Sequence, residues 1–237
     1  LVAAGVGAML LAAQPSRAEN PDNDVPSLED LMKVEVSSVA RRAQALADTP
    51  AAVYVVTAED IERSGVTSVP EALRLVPGVN VARISNAMWA VTIRGFNGRF
   101  ANKLLVMLDG RSVYSPLFSG TLWEAQDTLL EDVDRIEVIR GPGAAMWGAN
   151  AVNGVINIIT KRARSTQGTQ VVAAGGTTES AAASLRHGVA FADDAHLRLY
   201  AKGFAVESSE TLDGRRGRDE WNNGRVGLRF DKSFGTD

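Results

Sequence analysis

The chain has 237 residues, a formal net charge of −3 and no cysteine. The near balance of charge argues against a nucleic-acid-binding protein, and the lack of cysteine excludes disulfides, thiolate metal ligands and catalytic thiols. The two histidines, His187 and His196, come late in the chain. The sequence therefore predicts neither a resident metal ion nor a cofactor.

Residues 1–13 are small and apolar, LVAAGVGAMLLAA. This run is too short for a membrane-spanning helix, which needs roughly 20 apolar residues. Ser16-Arg17-Ala18 supplies a small-x-small cleavage site, which is typical of a secretory signal peptide without its basic start. We interpret residues 1–18 as that signal, with a short buried helix as the alternative. Since the chain starts at Leu1 rather than Met, we expect it to be a fragment.

Residues 19–47 are predicted to be a linker. Glu19–Pro26 carries two prolines and three acidic residues, a composition typical of disorder. A β-prone run follows at Lys33–Ala40, with valines at positions 34, 36 and 39. This run is interpreted either as a strand without a partner or as an ordinary amphipathic element.

Residues 48–162 have the pattern of one mixed α/β unit. The apolar strand Ala52–Val56 is followed by Thr57, which can cap a helix that ends just before Gly65. Ser68 and Glu71 have the spacing of a capping box for a second short helix. Further strands are predicted at Val79–Arg83, Val91–Arg94, Leu104–Leu108, Ile136–Ile139 and Val155–Ile159, with a turn at Asp109-Gly110 and a helix stop at Pro77-Gly78.

The segment between the last two of these strands is rich in Gly, Ala and Asn. Its glycines allow positive φ and close backbone approach, so it suits a backbone pressed against another surface. A phosphate-binding loop is the competing interpretation. The spacing Gly141-x-Gly143 followed by Gly148 does not match G-x-G-x-x-G, and no Gly-Lys-Ser/Thr follows.

Residues 163–237 show period-two alternation, typical of outer-membrane barrel strands or of a soluble sandwich. In Asn223–Lys232, apolar residues 226, 228 and 230 alternate with charged residues 225, 229 and 231. Strands are predicted at Val171–Gly175, Ala181–Phe191, His196–Val206 and Trp221–Phe234, joined by a short turn at 192–195 and a long charged loop at 207–220. We expect an antiparallel meander over Thr169–Phe234.

The chain resembles the TonB-dependent outer-membrane receptors. The phrases TPAAVYVVTAEDI, EALRLVPGVNV, TIRGF, LLVMLDGRSVY and DRIEVIRGPGAAMWGANAVNGVINIITK match phrases of their plug domain in order. The resemblance implies an α/β plug domain followed by antiparallel strands of an incomplete transmembrane β-barrel. A barrel of this class has roughly 22 strands, of which four are expected here.

The resemblance also implies particular site residues. Ligand-facing loops correspond to residues 84–90 and 113–123, which carry Ser85, Asn86, Trp89, Tyr114, Phe118 and Trp123. Arg94 and Arg140, in the Arg-Gly phrases, are expected to pair with barrel carboxylates, with solvated arginines as the alternative. The coupling box corresponds to Val34, Glu35, Val36, Ser37, Ser38 and Val39, although the family's threonine is absent there.

The function implied is import, without bond chemistry, of a scarce nutrient complex, with a ferric siderophore favoured and cobalamin next. The implied partners are a TonB-type energy transducer, outer-membrane lipid, the nutrient chelate and the barrel-assembly machinery. The implied location is the outer membrane of a Gram-negative cell, with a periplasmic N-terminus. The alternatives are a soluble exported α/β enzyme, which would lack a Ser-His-Asp or paired-carboxylate constellation, and a barrel that does not transport.

Overall fold

A computed structural model describes residues 35–36, 44–45, 51–95, 98–141, 144–177, 179–211 and 213–233. The predicted signal peptide, the Glu19–Pro26 segment and most of the Lys33–Ala40 run lie outside the described residues. Near the start, β1 (Glu35–Val36) pairs antiparallel with β2 (Gln44–Ala45).

The first unit is built on a five-stranded mixed sheet. Its strands are β3 (Val53–Thr57), β6 (Leu104–Leu108), β7 (Arg111–Ser112), β10 (Val133–Arg140) and β11 (Gly154–Thr160). Their order across the sheet is β3-β10-β11-β6-β7, in which β10 runs antiparallel to β3 and β11, and β11 runs parallel to β6. Strands β10 and β11, near the centre, contain the apolar runs that flank the Gly-rich segment.

The first helix, α1 (Ala58–Ser64), is capped as its sequence predicts. The Asp60 backbone N–H donates to Thr57 Oγ1 over 3.1 Å, the Thr57 N–H donates back to Asp60 Oδ2 over 2.9 Å, and Gly65 ends the helix with a φ of 67°. These paired bonds satisfy donors that a helix start leaves free.

The second helix corrects one prediction. Helix α2 (Val69–Ala72) continues into a 3₁₀ turn at Leu73–Leu75, but Ser68 makes no side-chain cap bond. The Glu71 carboxylate reaches one residue further back and accepts from the backbone N–H and hydroxyl of Thr67. The predicted capping box is therefore wrong, because its acidic member bonds to the residue before the cap.

Two hairpins stand apart from the central sheet. The first joins β4 (Val79–Arg83) to β5 (Trp89–Ile93), and the second joins β8 (Tyr114–Ser115) to β9 (Gly120–Thr121). Strand β5 starts two residues before the predicted Val91, and it ends before Arg94, whose φ of 61° is incompatible with an extended strand. Short helix α3 (Ala144–Trp147) lies in the Gly-rich segment.

The second unit is a four-stranded antiparallel meander. It consists of β12 (Gly168–Ala174), β13 (Glu179–Ala192), β14 (Ala195–Val206) and β15 (Trp221–Lys232), in sequence order across the sheet. The alternation predicted for β15 is confirmed, since Val226, Leu228 and Phe230 are exposed on one face while Arg225 and Arg229 on the other are partly buried. In the described part of the chain, no helix combines the length and apolar character that crossing a membrane requires.

Candidate functional site

The two units meet through a buried cluster of charges around Asp132. Its Oδ1 lies 2.7 Å from Arg186 Nη1 on β13, and its Oδ2 lies 3.2 Å from Arg198 Nε on β14. The side chains of Asp132 and Arg198 are only 2% and 4% exposed. Arg198 also donates from Nη1 to the Lys161 carbonyl oxygen over 2.9 Å. One carboxylate of the first unit thus holds two successive strands of the second.

Two further cations extend this charged interface. Lys202 Nζ on β14 lies 2.7 Å from Asp127 Oδ1, with both side chains largely buried. Arg229 on β15 donates from Nη1 to Thr160 Oγ1 over 2.7 Å and lies 3.4 Å from Asp109 Oδ2. Because Arg198 and Arg229 are register partners, these inward-facing cations form a continuous patch on the sheet.

The charged pairs of this interface have a polarity that the resemblance did not imply. The resemblance implied arginines on the plug and carboxylates on the strands, whereas here aspartates on the first unit meet cations on the strands. Among the described residues, Arg94 and Arg140 bond carbonyl oxygens instead: Arg94 Nη2 to that of Arg140 over 3.3 Å, and Arg140 Nη1 to that of Pro77 over 3.1 Å. Their pairing with barrel carboxylates stays a prediction.

A cavity of about 450 Å³ lies beside the charged interface, between the two units. Trp89, Trp123 and Asn86 line it from the first unit, and Phe204 and Trp221 line it from the strands. Phe204 and Trp221 meet edge to face, with ring centroids 4.8 Å apart. The cavity therefore has an aromatic wall on the strands as well as on the first unit.

The two tryptophans expected to face ligand are mainly core residues. Trp89 and Trp123 are 6% and 4% exposed and belong to the main hydrophobic cluster. The guanidinium groups of Arg74 and Arg83 lie 5.6 and 5.2 Å from the centroid of the Trp89 ring. Their burial is expected, since large apolar rings gain most from it. At this low exposure, each tryptophan can offer only a small part of its surface to a ligand.

The second predicted ligand-facing segment, residues 113–123, presents its other aromatics differently. Tyr114 is half-buried on β8, and Phe118 is 41% exposed at the hairpin tip, where it stacks on Phe100 with centroids 5.4 Å apart. Leu117, which the sequence analysis did not single out, is 83% exposed beside it. This tip is an exposed apolar surface on the β8–β9 hairpin.

Asn86 lies at the tip of the β4–β5 hairpin and is 6% exposed. Its backbone N–H donates to Asp219 Oδ2 over 3.1 Å, and its Nδ2 donates to the Glu207 carbonyl oxygen over 2.6 Å. The neighbouring Ser85 only closes the turn through backbone bonds with Met88. Asn86 therefore uses its donors within the protein, toward the loop that joins β14 to β15.

The predicted coupling segment is described only in part. Val36 pairs with Gln44 across the β1–β2 ladder and is fully buried. Val34, Ser37, Ser38 and Val39 lie outside the described residues, and so does the side chain of Glu35. The β-strand character of the segment is confirmed at Glu35 and Val36, with a partner strand that the sequence analysis did not predict.

The aspartates of the interface were missed from the sequence. Asp109 and Asp127 lie in a turn and a loop of the first unit, and Asp132 ends a short 3₁₀ helix, Leu130–Asp132. At such positions an acidic residue is ordinarily solvated. The spacing of the strand cations was the signal in the sequence that could have indicated this interface. Arg198 and Lys202 are four residues apart in a strand, so they share its inner face.

Fold and site together define a plug domain that is seated on antiparallel strands by buried ion pairs. Residues 45–155 match the family model of the TonB-dependent Receptor Plug Domain. The Vitamin B12 transporter BtuB of Vibrio vulnificus (strain CMCP6) is 31% identical over 183 residues, which are 74% of this chain and 29% of that protein. The Iron-regulated outer membrane virulence protein of Vibrio cholerae serotype O1 (strain ATCC 39541) is 37% identical over 133 residues, 54% of this chain and 20% of that protein.

A solved structure agrees with these relatives. The ferric-catecholate import receptor Fiu from E. coli K12 superposes with a TM-score of 0.58 at 26% identity, covering 78% of this chain and 24% of that one. The chain belongs to the TonB-dependent receptors, and its location is the outer membrane. It spans less than a third of the length of either curated relative named above.

Proposed function

We propose that this receptor binds a scarce nutrient complex at its outer face and passes it into the periplasm. The observation that carries the proposal is the seating of the plug domain on the inner face of the strands through Asp132, Arg186 and Arg198. A domain held by ion pairs inside a wall of strands blocks a passage until it is rearranged. Such a plug serves as a gate, and neither transport nor binding needs bond chemistry.

The ligand site is proposed at the outer end of the plug. The tip at Leu117 and Phe118 would supply exposed apolar surface, and Tyr114 beside it would add an amphipathic ring. The aromatic cavity would supply a second, enclosed surface, chiefly through Phe204 and Trp221, with the small exposed parts of Trp89 and Trp123 beside them. Together these surfaces suit a bulky, partly apolar chelate rather than a bare ion.

Two ligand classes are proposed in order: a ferric siderophore first and cobalamin second. The named relatives and neighbour support both, because one is a vitamin B12 transporter and another is a ferric-catecholate import receptor. The plug contains no histidine, which disfavours haem as the ligand.

Energy is proposed to come from a TonB-type transducer of the inner membrane that pairs with Lys33–Ala40. In strand addition of this kind, main-chain hydrogen bonds supply the affinity for the partner. Val36 lies in β1, so its present pairing with Gln44 would be exchanged for pairing with the transducer. The exposed Val226, Leu228 and Phe230 are proposed to face membrane lipid, and the barrel-assembly machinery is proposed to insert the strands.

The test is uptake by cells in which the full-length receptor is the only outer-membrane route. A radiolabelled ferric tricatecholate and labelled cyanocobalamin are supplied separately, with and without a proton uncoupler. Accumulation of one of them that the uncoupler abolishes supports the proposal and selects the ligand class. Binding without energy-dependent accumulation of either would contradict transport.

A further inference from the structure

The tip of the β4–β5 hairpin and the loop of residues 207–220 are joined by Asn86. Its backbone N–H and its Nδ2 donate to two separate acceptors, Asp219 Oδ2 and the Glu207 carbonyl oxygen, which lie near the two ends of that loop. The bond from Nδ2 is short, at 2.6 Å. Because Asn86 is almost completely buried, water competes little for these donors.

The loop has internal bonds that join its two arms. The Gly217 N–H donates to the Ser209 carbonyl oxygen over 2.7 Å, and Glu210 and Arg216 form an isolated β-bridge. The second oxygen of Asp219 accepts from the Ser209 N–H over 2.8 Å. The Asp219 carboxylate therefore joins the stem of the loop to the plug.

We propose that Asn86 is a positioning residue that latches the loop of residues 207–220 onto the plug. Displacement of the hairpin tip breaks both bonds at once and frees the loop. A ligand group that takes the donors of Asn86 has the same effect, so the ligand and the loop compete for one residue. The latch is read from the geometry alone, whereas its use during import rests on the function proposed above.

The coupling must act in both directions. A latch that holds the loop to the tip also holds the tip to the loop, since a coupling free energy between two sites is reciprocal. Loss of Asp219 should therefore loosen the turn at Ile84 and Met88. The Ile84 N–H donates to the Met88 carbonyl oxygen over 2.8 Å, a bond that lies entirely within the plug and does not itself involve Asp219.

Limited trypsin digestion of the purified full-length receptor in detergent micelles tests the latch. Arg215, Arg216 and Arg218 are exposed in the loop and provide cleavage sites. Asn86→Ala and, independently, Asp219→Ala should each raise the cleavage rate about tenfold, the effect of losing one hydrogen bond that involves a charged or buried group. Asp219→Ala leaves the plug sequence intact, so the test does not depend on the folding of one variant.

Two matched controls separate the latch from general loosening. Ser85→Ala alters the neighbouring side chain at the same tip, and Asp213→Asn alters a carboxylate of the same loop that pairs only with Arg215 and Thr211 in the described structure. Cleavage is compared after Arg216, because Asp213 pairs with Arg215 itself, and there both controls should be cut at the wild-type rate. Unchanged cleavage in both latch variants, or an equal rise in the controls, would overturn the proposal.

Hydrogen exchange provides the reciprocal measurement on the same samples. In Asp219→Ala, exchange at the Ile84 and Met88 amides should quicken, while that in the β10–β11 ladder stays at the wild-type rate. No change at the tip would overturn the two-way latch. Failure of import in the wild type, by contrast, would contradict the proposed function and leave these measurements unaffected.

Discussion

Asp132 and Arg198 form an ion pair that is almost fully enclosed between the plug and β14. Their atoms Oδ2 and Nε are 3.2 Å apart, and the side chains are 2% and 4% exposed. Arg186 approaches the other oxygen, so one carboxylate is shared by two guanidinium groups. Removal of Asp132 would leave both without their anion, a much larger perturbation than the loss of an exposed pair.

The first prediction is that Asp132→Asn destabilises the receptor by about 3–5 kcal/mol, the cost of breaking a buried ion pair from one side. Calorimetric unfolding of the purified full-length protein measures it. Glu59→Gln is the matched control, because the Glu59–Arg63 pair is highly exposed and contributes less than about 1 kcal/mol. Equal unfolding temperatures for the two variants would show that the cluster does not hold the plug.

The second prediction concerns the ligand surface. Tyr114→Ala and Phe118→Ala should each weaken binding of the imported chelate about tenfold, as expected for aromatic anchors. Leu75→Ala, another surface apolar change, should leave the affinity unchanged. Trp89→Ala is less informative because this side chain is core, and its truncation should cost about 3–5 kcal/mol of stability.

Equilibrium binding to purified receptor distinguishes these effects. Wild-type affinity in both hairpin variants would exclude the β8–β9 tip from the binding surface. A loss of affinity in Trp89→Ala counts toward a direct role only if the unfolding temperature is preserved.

The third prediction concerns energy coupling. Val36→Pro should abolish uptake while leaving surface binding of the ligand intact, because proline removes a backbone donor and cannot serve a paired strand position. Asp24→Pro, in the polar stretch that precedes the segment, is the control and should import normally. Uptake and binding are measured on the same cells.

The burial of Val36 gives this test a second possible result. If the β1–β2 ladder serves only to stabilise the plug, Val36→Pro lowers stability and binding together. Full uptake in the variant would show that the segment is not the coupling box.

The fourth prediction concerns pH. The backbone N–H of Ser209, and then that of Asn86, holds the pKa of the Asp219 carboxyl below its ordinary value. A lowered pKa in the folded state means that the contribution to stability is complete above the unfolded value of about 4 and is lost as the pH falls through the folded value. The loop should therefore detach only under strongly acidic conditions.

Amide exchange at Ser209, corrected for the intrinsic pH dependence, follows this detachment. Protection should fall with acidification in the wild type, whereas Asp219→Asn should show low protection that does not depend on pH. An identical pH profile in the two proteins would mean that the titration of Asp219 does not control the loop.

The fifth prediction concerns the join between the plug and the strands. A Cβ at Gly188 on β13 would overlap the Thr166 carbonyl oxygen and lie 2.8 Å from Gln167 Cα, both of which are backbone atoms. Gly188→Ala should therefore cost about 1–3 kcal/mol, the usual effect of overpacking. Gly224→Ala, at an open strand position, should be close to neutral. Comparable stabilities in calorimetry would contradict this close approach.

Much of the fold follows from local sequence. The cap at Thr57, the strand Val79–Arg83, the strand Leu104–Leu108 and the alternation in β15 are set by residue type and spacing, so neighbouring residues are sufficient to predict them. The order of the plug phrases along the chain likewise indicates the family. These features depend on backbone preferences and on a period of two or 3.6 residues.

The tertiary structure decided which polar groups meet. Asp132 and Arg198 are far apart in sequence, and neither the charge of this aspartate nor its neighbours in sequence predict a buried cation as its partner. Asn86 was predicted to bind ligand, but folding brings the 207–220 loop to its donors. Long-range pairs of this kind are set by how the strands pack against the plug, which local periodicity does not determine.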